Sequence, residues 1–591
     1  MSVRRKEYGS RRKYFILGVY CLISFPIFSQ HIYLELNLNN QAIQRRVLPA
    51  QPRPALEVFR VIERASQDKR IRGIILNISA FDTSRENLWE LRTALEQFKS
   101  QGKKICAFIS AADLDLYCLA TVADKIVMDE QGTLSLMGYA WGRGYAQHAL
   151  EKLGIGAREL RYLEYKSAAE TFTRDAISEA DRRQYGEWLE DVFTLTRDTL
   201  MKARSWSGEE FDAILNREFL YSARSALERK LVDRTGRKSA VEEAIKEIEG
   251  AEVKHFVLYG DSDSSLTDSK AFYGPGTAGG LFSKPPVIAV IYANGQTDME
   301  RGMAARSLAR TIQEVSERKR VRAIVIRINS PGGSAEAADY IAEAVKSAKE
   351  RISVVVSMGS VAASGGYWAG MYASHITASP YTLTGSIGVI GSWFYDKGLN
   401  NKLGLTVDTL QRGEHADLMT GIVLPRRDLN PVEEVRYRGY ILDMYGDFVA
   451  KVASGRNMDI GRVEAAAQGR VFSGIGALNA GLIDSIGGFS DAIRIARDLA
   501  GIPENKKVLY SEYPKPRFID RLLNRLPILS AILSPTSSMP ASGSSGETLS
   551  AAAFLADLFL PMPLLADLRY RLERNGQVMP ILPLESNWLP E

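Results

Sequence analysis

The chain of 591 residues holds only three cysteines, Cys21, Cys106 and Cys118, and five histidines. Three cysteines make neither a disulfide framework nor a zinc ligand set. Cys106 and Cys118 either pair in an oxidising compartment or stand as two small buried thiols. The histidines, His31, His148, His255, His375 and His415, show no HExxH spacing and no cysteine at ligand distance. Metal catalysis is therefore left without support. Nor is either sign of charge in excess: 75 basic against 70 acidic residues give a net charge of +5, which is no electrostatic footprint for nucleic acid. The length exceeds what one core can organise, so several domains are expected.

What is present begins with a basic N-terminus. Arg4, Arg5, Lys6, Arg11, Arg12 and Lys13 precede an apolar stretch over residues 14–29 with no small-x-small cleavage site after it. The pattern predicts an uncleaved membrane anchor over residues 1–30, with the N-terminus in the cytoplasm and the remainder outside it. At the other end, residues 534–547 (SPTSSMPASGSSGE) are of low complexity, and residues 549–568 are apolar but carry Asp557, Asp567 and two prolines. An amphipathic docking segment is expected there rather than a second span.

Between these ends the chain repeats itself at an offset of 250. VIERASQDKRIRGIILNIS (residues 61–79) matches TIQEVSERKRVRAIVIRIN (residues 311–329), and ADKIVMDEQGTLSLMG (residues 123–138) matches ASHITASPYTLTGSIG (residues 373–388). Later, NREFLYSARSALERKLVD resembles GRVFSGIGALNAGLID with a two-residue slip. Each copy alternates helix and apolar strand, the pattern of an α/β domain with a parallel sheet. The expected domains are residues 50–255 and 287–505, joined by a Gly-rich linker over 256–286 and followed by a C-terminal extension over 506–591.

The copies differ where chemistry would be. Residues 354–357 suit a short buried strand; SVAASGG (residues 360–366) then reads as a small-residue turn leading into a helix from Gly365. Ser364 falls at that helix N-terminus, where a serine either caps the helix or acts as a nucleophile. The offset puts Leu114 opposite Ser364 and Asp115 opposite Gly365, and the stretch Asp113-Leu114-Asp115 offers no serine or threonine to cap in the same way. The first strand of the second copy ends in NSPGGS (residues 329–334), whereas the first copy has no glycine pair there. Adjacent glycines let backbone N–H groups face a reacting carbonyl. The reverse holds for a base. Lys166, in RYLEYKSAAETFTRD, sits among apolar and small residues, and the second copy has Ala416 at that offset. A lysine serves as general base when burial populates its neutral amine. His375 lies too close behind Ser364 in sequence and reads as an ordinary edge residue. Complementary loss of serine and lysine predicts one composite site drawn from both halves, formed within one chain or between neighbours.

The motifs NSPGGS, SMGSVAASGGYWAG and TLTGSIG, with YKSAAETFTRD in the first copy, resemble those of the S49 peptidases in their long, duplicated, signal peptide peptidase form, from the anchor to about residue 515. The resemblance implies a crotonase/ClpP-like fold of ββα units in each half, a homotetramer, no cofactor, and a membrane-bound serine endopeptidase that degrades remnant signal peptides and other hydrophobic peptides outside the cytoplasm. Residue by residue, it implies Ser364 as nucleophile, Lys166 as general base, Ser386 as the hydroxyl that orients the lysine, and the amides of Gly332 or Gly333 and of Gly365 as the oxyanion hole. Met137 is taken to stand opposite Ser386 in the first copy. Thr171 departs from the proline common after the glutamate of the lysine motif. Two rival readings keep the fold: a crotonase-type acyl-CoA enzyme, whose usual glutamates are not visible, and a non-catalytic membrane scaffold.

Overall fold

The runs IRGIILN and VRAIVIRINS are rich in β-branched residues with little alternation, as expected of strands covered on both faces, and each becomes a central strand of its own sheet, parallel except for one antiparallel strand at the edge. The computed structural model describes residues 32–38, 55–258 without 80, 82, 252 and 254, then 285–515 and 578–579. The expected anchor over residues 14–29, most of the linker, and residues 534–568 lie outside them. No described helix is long and apolar enough to cross a membrane.

In chain order the first half contributes β1 (Ile32–Asn37), β2 (Ile71–Asn77), β3 (Lys104–Ala112), β4 (Lys125–Ser135), β5 (Ile155–Leu160), β6 (Leu220–Ser222), β7 (Arg234–Thr235) and β8 (His255–Leu258). The second contributes β9 (Val287–Asn294), β10 (Val321–Ser330), β11 (Ser353–Ala363), β12 (His375–Ala378), β13 (Leu383–Gly385), β14 (Ile390–Asp396), β15 (Val471–Phe472), β16 (Ser485–Ile486) and β17 (Leu509–Tyr513), with β18 (Val578–Met579) last. The first sheet runs β6-β4-β3-β2-β1-β8 with β7 beside β4; the second runs β15-β13-β11-β10-β9-β17, with β12 pairing β11 and β16. The two orders are the same, except that the long β4 is replaced by β12 and β13. Pro380, which has no N–H for a ladder, lies in that break.

Both domains are wider than composition suggests. β1 precedes residue 50 and pairs in parallel with β2 and β8, and β17 follows residue 505 and pairs in parallel with β9. IYLELN and LYSEY carry Glu35 and Glu512, so neither stands out as a buried strand until its partners are known. Cys106 and Cys118 are buried free thiols, and burial pushes both up to about 12.

The halves share more than a linker. One apolar cluster joins Leu91, Leu95 and Phe98 of the first half to Val290, Val325 and Phe489 of the second. Within this contact Arg327 is buried, its Nη1 donating to Glu90 Oε1 (2.8 Å) and Ser357 Oγ (2.8 Å) and its Nη2 to Glu86 Oε1 (3.2 Å). A third, small sheet crosses the halves: β5 lies antiparallel to β14 from Ile155 opposite Asp396 to Leu160 opposite Gly391, and β18 adds to the other edge of β14. This ribbon fixes the site, because Lys166 follows β5 by six residues and Ser386 precedes β14 by four.

Candidate active site

Ser364 is placed by a strand longer than the sequence suggests. β11 continues through Ser360, Val361 and Ala362 to Ala363, so most of the expected turn is strand. The pairing with β10 shifts between Ile328 opposite Met358 and Ser330 opposite Ala362, leaving Gly359 and Ser360 as a bulge. Asn329 Oδ1 holds that bulge, accepting from Ser360 Oγ (3.0 Å) and Val361 N (3.1 Å). Ser364 then occupies the N-cap of the helix Gly365–Gly370 with φ 56° and ψ −117°, and its hydroxyl makes no capping hydrogen bond. A non-glycine residue in that region costs about 1–3 kcal/mol and persists only where its surroundings hold it. Here Ser364 N donates to Gly385 O (2.8 Å) and Ser364 O accepts from Trp368 N (2.9 Å). The hydroxyl is left to meet the lysine.

Lys166 Nζ lies 2.6 Å from Ser364 Oγ in the same chain. It also lies 2.8 Å from Ser386 Oγ and 2.9 Å from Ser386 O. Lys166 is 1% exposed, and Ser364 and Ser386 are fully buried. The lysine loop is clamped from both halves. Tyr165 N donates to Gln468 O (2.9 Å), while Ser386 N donates to Arg470 O (2.7 Å). Gly469 sits between these anchors at φ +83°, and a Cβ there would stand 2.6 Å from Lys166 Cβ. Behind the loop, Ser167 Oγ donates to Asp181 Oδ1 (2.5 Å), and Arg143 bridges Asp181 Oδ2 (2.8 Å) and Ser167 O (3.1 Å). Burial raises the Asp181 carboxyl above the usual range, and Arg143 opposes that shift.

The glycine pair faces the serine turn. A Cβ on Gly365 would lie 3.1 Å from Thr297 Oγ1, 3.2 Å from Gly332 Cα and 3.2 Å from Gly333 N. Gly332 N donates to Ser330 Oγ (3.2 Å). Among the described residues no hydrogen bond uses the Gly333 or Gly365 amide, so those two are available to an incoming oxygen. His375 is elsewhere, its Nε2 2.9 Å from Ser485 Oγ at the start of β12.

The first copy preserves the frame without these groups. Tyr117 donates to Leu231 O (2.7 Å) as Tyr367 donates to Leu482 O (2.9 Å), which keeps Leu114 opposite Ser364. Two expectations need correction. Asp113 does cap its helix, Leu114–Ala120, accepting from Leu116 N at 2.8 Å; a carboxylate performs the task for which serine was sought, and Ser364 is the residue that leaves its helix uncapped. Ser135 pairs with Leu220 as Gly385 pairs with Val471, so Leu136, not Met137, stands opposite Ser386.

The profile of Peptidase family S49 matches residues 97–254 and again residues 346–503, more than half of the chain. The chain belongs to peptidase family S49. A Clp protease profile matches residues 291–375, and the common strand order extends that likeness to the first half, so this S49 peptidase carries two tandem ClpP-like α/β domains. It is 32% identical over 462 residues to "Serine protease SPPA, chloroplastic" of Arabidopsis thaliana, covering 77% of this chain and 67% of that protein. It is 31% identical over 481 residues to "Protease 4" of Salmonella typhi, covering 78% and 75%. A shorter relative, "Putative signal peptide peptidase SppA" of Enterococcus faecium, is 37% identical over 183 residues, 31% of this chain and 52% of that protein.

Several residues that shape the S49 site escape sequence reasoning. Asn329 stands out only as the end of a strand segment, Gly469 only as the first residue of GRVFSG, and Gln184 lies in no motif. Only Gly469 leaves a trace: in the matched motifs NREFLYS and GRVFSG, Glu218 stands where Gly469 stands, and no lysine loop has to pass it.

Proposed function

We propose that this chain is a serine endopeptidase in which Ser364 is the nucleophile and Lys166 the general base. The observation that carries the reading is the 2.6 Å approach of Lys166 Nζ to a buried, uncapped, strained Ser364. A neutral amine has two hydrogens and one lone pair. It can donate to Ser386 O and Ser386 Oγ and still accept from the Ser364 hydroxyl, and burial disfavours the ammonium form. Ser386 therefore orients the lysine.

In the reaction, the Ser364 proton passes to Lys166 as Oγ attacks the substrate carbonyl. The Gly333 and Gly365 amides receive the oxyanion. Lys166 then returns the proton to the leaving amine and, neutral again, takes a proton from the water that hydrolyses the acyl-enzyme. No step needs a cofactor. Spent signal peptides and other hydrophobic peptides are the proposed natural class, a reading supported by the likeness to relatives named Protease 4 and signal peptide peptidase SppA. The anchor over residues 14–29 would hold the catalytic halves on the outer face of the cytoplasmic membrane. A homotetramer is part of the same proposal: Met137 and Leu220 are exposed at places whose second-half equivalents, Ile387 and Val471, are covered by the first half.

The test is hydrolysis of a synthetic signal peptide by purified Ser364→Ala and Lys166→Ala proteins. Each is expected to lose activity by about 10⁴-fold or more with an unchanged melting transition. Near wild-type turnover in either variant would exclude the dyad.

A further inference from the structure

Gln184 lies in the second turn of the helix Glu179–Arg204, a first-half element that reaches over the second half, and is 1% exposed. Its carboxamide is fully engaged in two directions. On one side Nε2 donates to Tyr165 O (3.0 Å) and Asp181 Oδ1 (2.8 Å), and lies 3.4 Å from Ser167 Oγ. Tyr165 and Ser167 are the two neighbours of Lys166. On the other side Oε1 accepts from Val471 N (3.0 Å). Val471 pairs with Gly385, and Gly385 O receives the Ser364 amide. Hydrogen bonds joined by one strand pairing therefore lead from both flanks of the lysine, through one side chain, to the backbone that holds the serine.

We infer that Gln184 is a positioning residue: by tying the lysine loop to the strand beside Ser364, it sets the distance between the two reactive atoms across the seam of the duplicated halves. This rests on the dyad reading above. Gln184 is too deep in the packing to touch a substrate, and no atom of it approaches Lys166 Nζ or Ser364 Oγ within hydrogen-bond distance. Its effect must come through the loops it joins. A loop that shifts by about 1 Å can cost about 10²-fold in rate, because proton transfer needs heavy atoms within roughly 2.6–3.2 Å.

The test uses the full-length protein with Gln184→Met, which keeps the length and removes every hydrogen bond, and Gln184→Glu, which keeps the acceptor for Val471 N and removes the donors. Active sites are counted by labelling Ser364 with a fluorophosphonate, and rates are expressed per labelled site. The expected result for Gln184→Met is a kcat lowered about 10- to 100-fold, KM within about threefold, labelling slowed by the same factor as kcat, and a displaced midpoint in the pH dependence of kcat. Gln184→Glu should lower kcat per site at least as far, because its new oxygen would face Asp181 Oδ1 and Tyr165 O, both acceptors. A residue that only stabilises the fold would lower the number of labelled sites and leave kcat per site and the pH midpoint unchanged. That outcome, or a per-site kcat within twofold of wild type in Gln184→Met, overturns the proposal. Lys166→Ala separates the two inferences: if it is labelled at the wild-type rate, the dyad reading falls and takes this one with it. If it is not, a wild-type rate in Gln184→Met removes Gln184 alone.

Discussion

Replacing Gly469 by alanine should disable the site while leaving the protein folded, and the size of the effect follows from two distances. At φ +83° a new Cβ would stand 2.6 Å from Lys166 Cβ and 2.7 Å from both its Cα and its N. Carbon atoms come to rest near 3.5 Å, so the lysine backbone must retreat by about 0.9 Å, since neither partner is the free end of a flexible chain. Carried to the amine, that retreat would stretch the 2.6 Å contact with Ser364 to about 3.5 Å, beyond a useful hydrogen bond. The expected loss is about 10²-fold in kcat. The left-handed backbone adds about 1–2 kcal/mol of destabilisation by itself. Gly404 provides the control: it closes a helix at φ +67° with nothing within 4 Å of its missing Cβ, so Gly404→Ala should show the backbone cost without the catalytic loss. Peptide hydrolysis and thermal melting of the two variants, side by side, decide the matter. Equal kcat values for Gly469→Ala and Gly404→Ala would refute the reasoning.

Two further outcomes can be checked independently. Gly365→Ala places a methyl 3.2 Å from Gly333 N and 3.1 Å from Thr297 Oγ1, crowding the amide pair; kcat should fall about 10²- to 10³-fold, the range for losing one oxyanion donor, while Ser364 still reacts with small electrophiles whose adduct lacks an oxyanion. At the seam, burial holds the Glu90 carboxyl up at about 7 against the pull of Arg327. The folded protein then keeps a proton that the unfolded chain has released above its ordinary value of 4.5, so stability falls as pH rises from 4.5 to 7 and levels off beyond. The loss amounts to roughly 3 kcal/mol, visible as a lower urea midpoint at pH 8 than at pH 5, and Glu90→Gln should flatten the difference.

The duplication made much of this legible in advance. Two 19-residue segments that agree in helix and strand disclose the repeated α/β unit, and the complementary absences at Leu114 and Ala416 single out Ser364 and Lys166, which the structure brings within 2.6 Å. What stayed hidden is what depends on the fold to have meaning. The strand LYSEY has no apolar face of its own before β9 pairs with it. Gly359 and Ser360 look like the start of a turn because a bulge differs from a loop only by the register of its neighbour, and that register is held by Asn329. Gly469 and Gln184 act on Lys166 from about 300 and 18 positions away, through backbone contact and through carbonyl and amide partners that every residue possesses. No spacing rule marks such partners. The capping role of Asp113 was missed for a related reason: carboxylates and hydroxyls cap equally well, so the lack of a serine excluded nothing.

The ribbon of β5 and β14 and the strand at Val471 have a consequence for the order of events during synthesis. Lys166, the proposed base, is translated first, Ser364 198 residues later, and the strand at Val471 more than a hundred residues after that. At roughly 5–20 residues per second, the serine exists for about 5–20 s before Val471 and Gly469 leave the peptidyl-transferase centre, and longer before they fold. Throughout that interval the chain carries both side chains of the proposed dyad without the segment at Gly469 that clamps the lysine loop. Completion of the second sheet is thus the step at which the proposed pair would first be held in register.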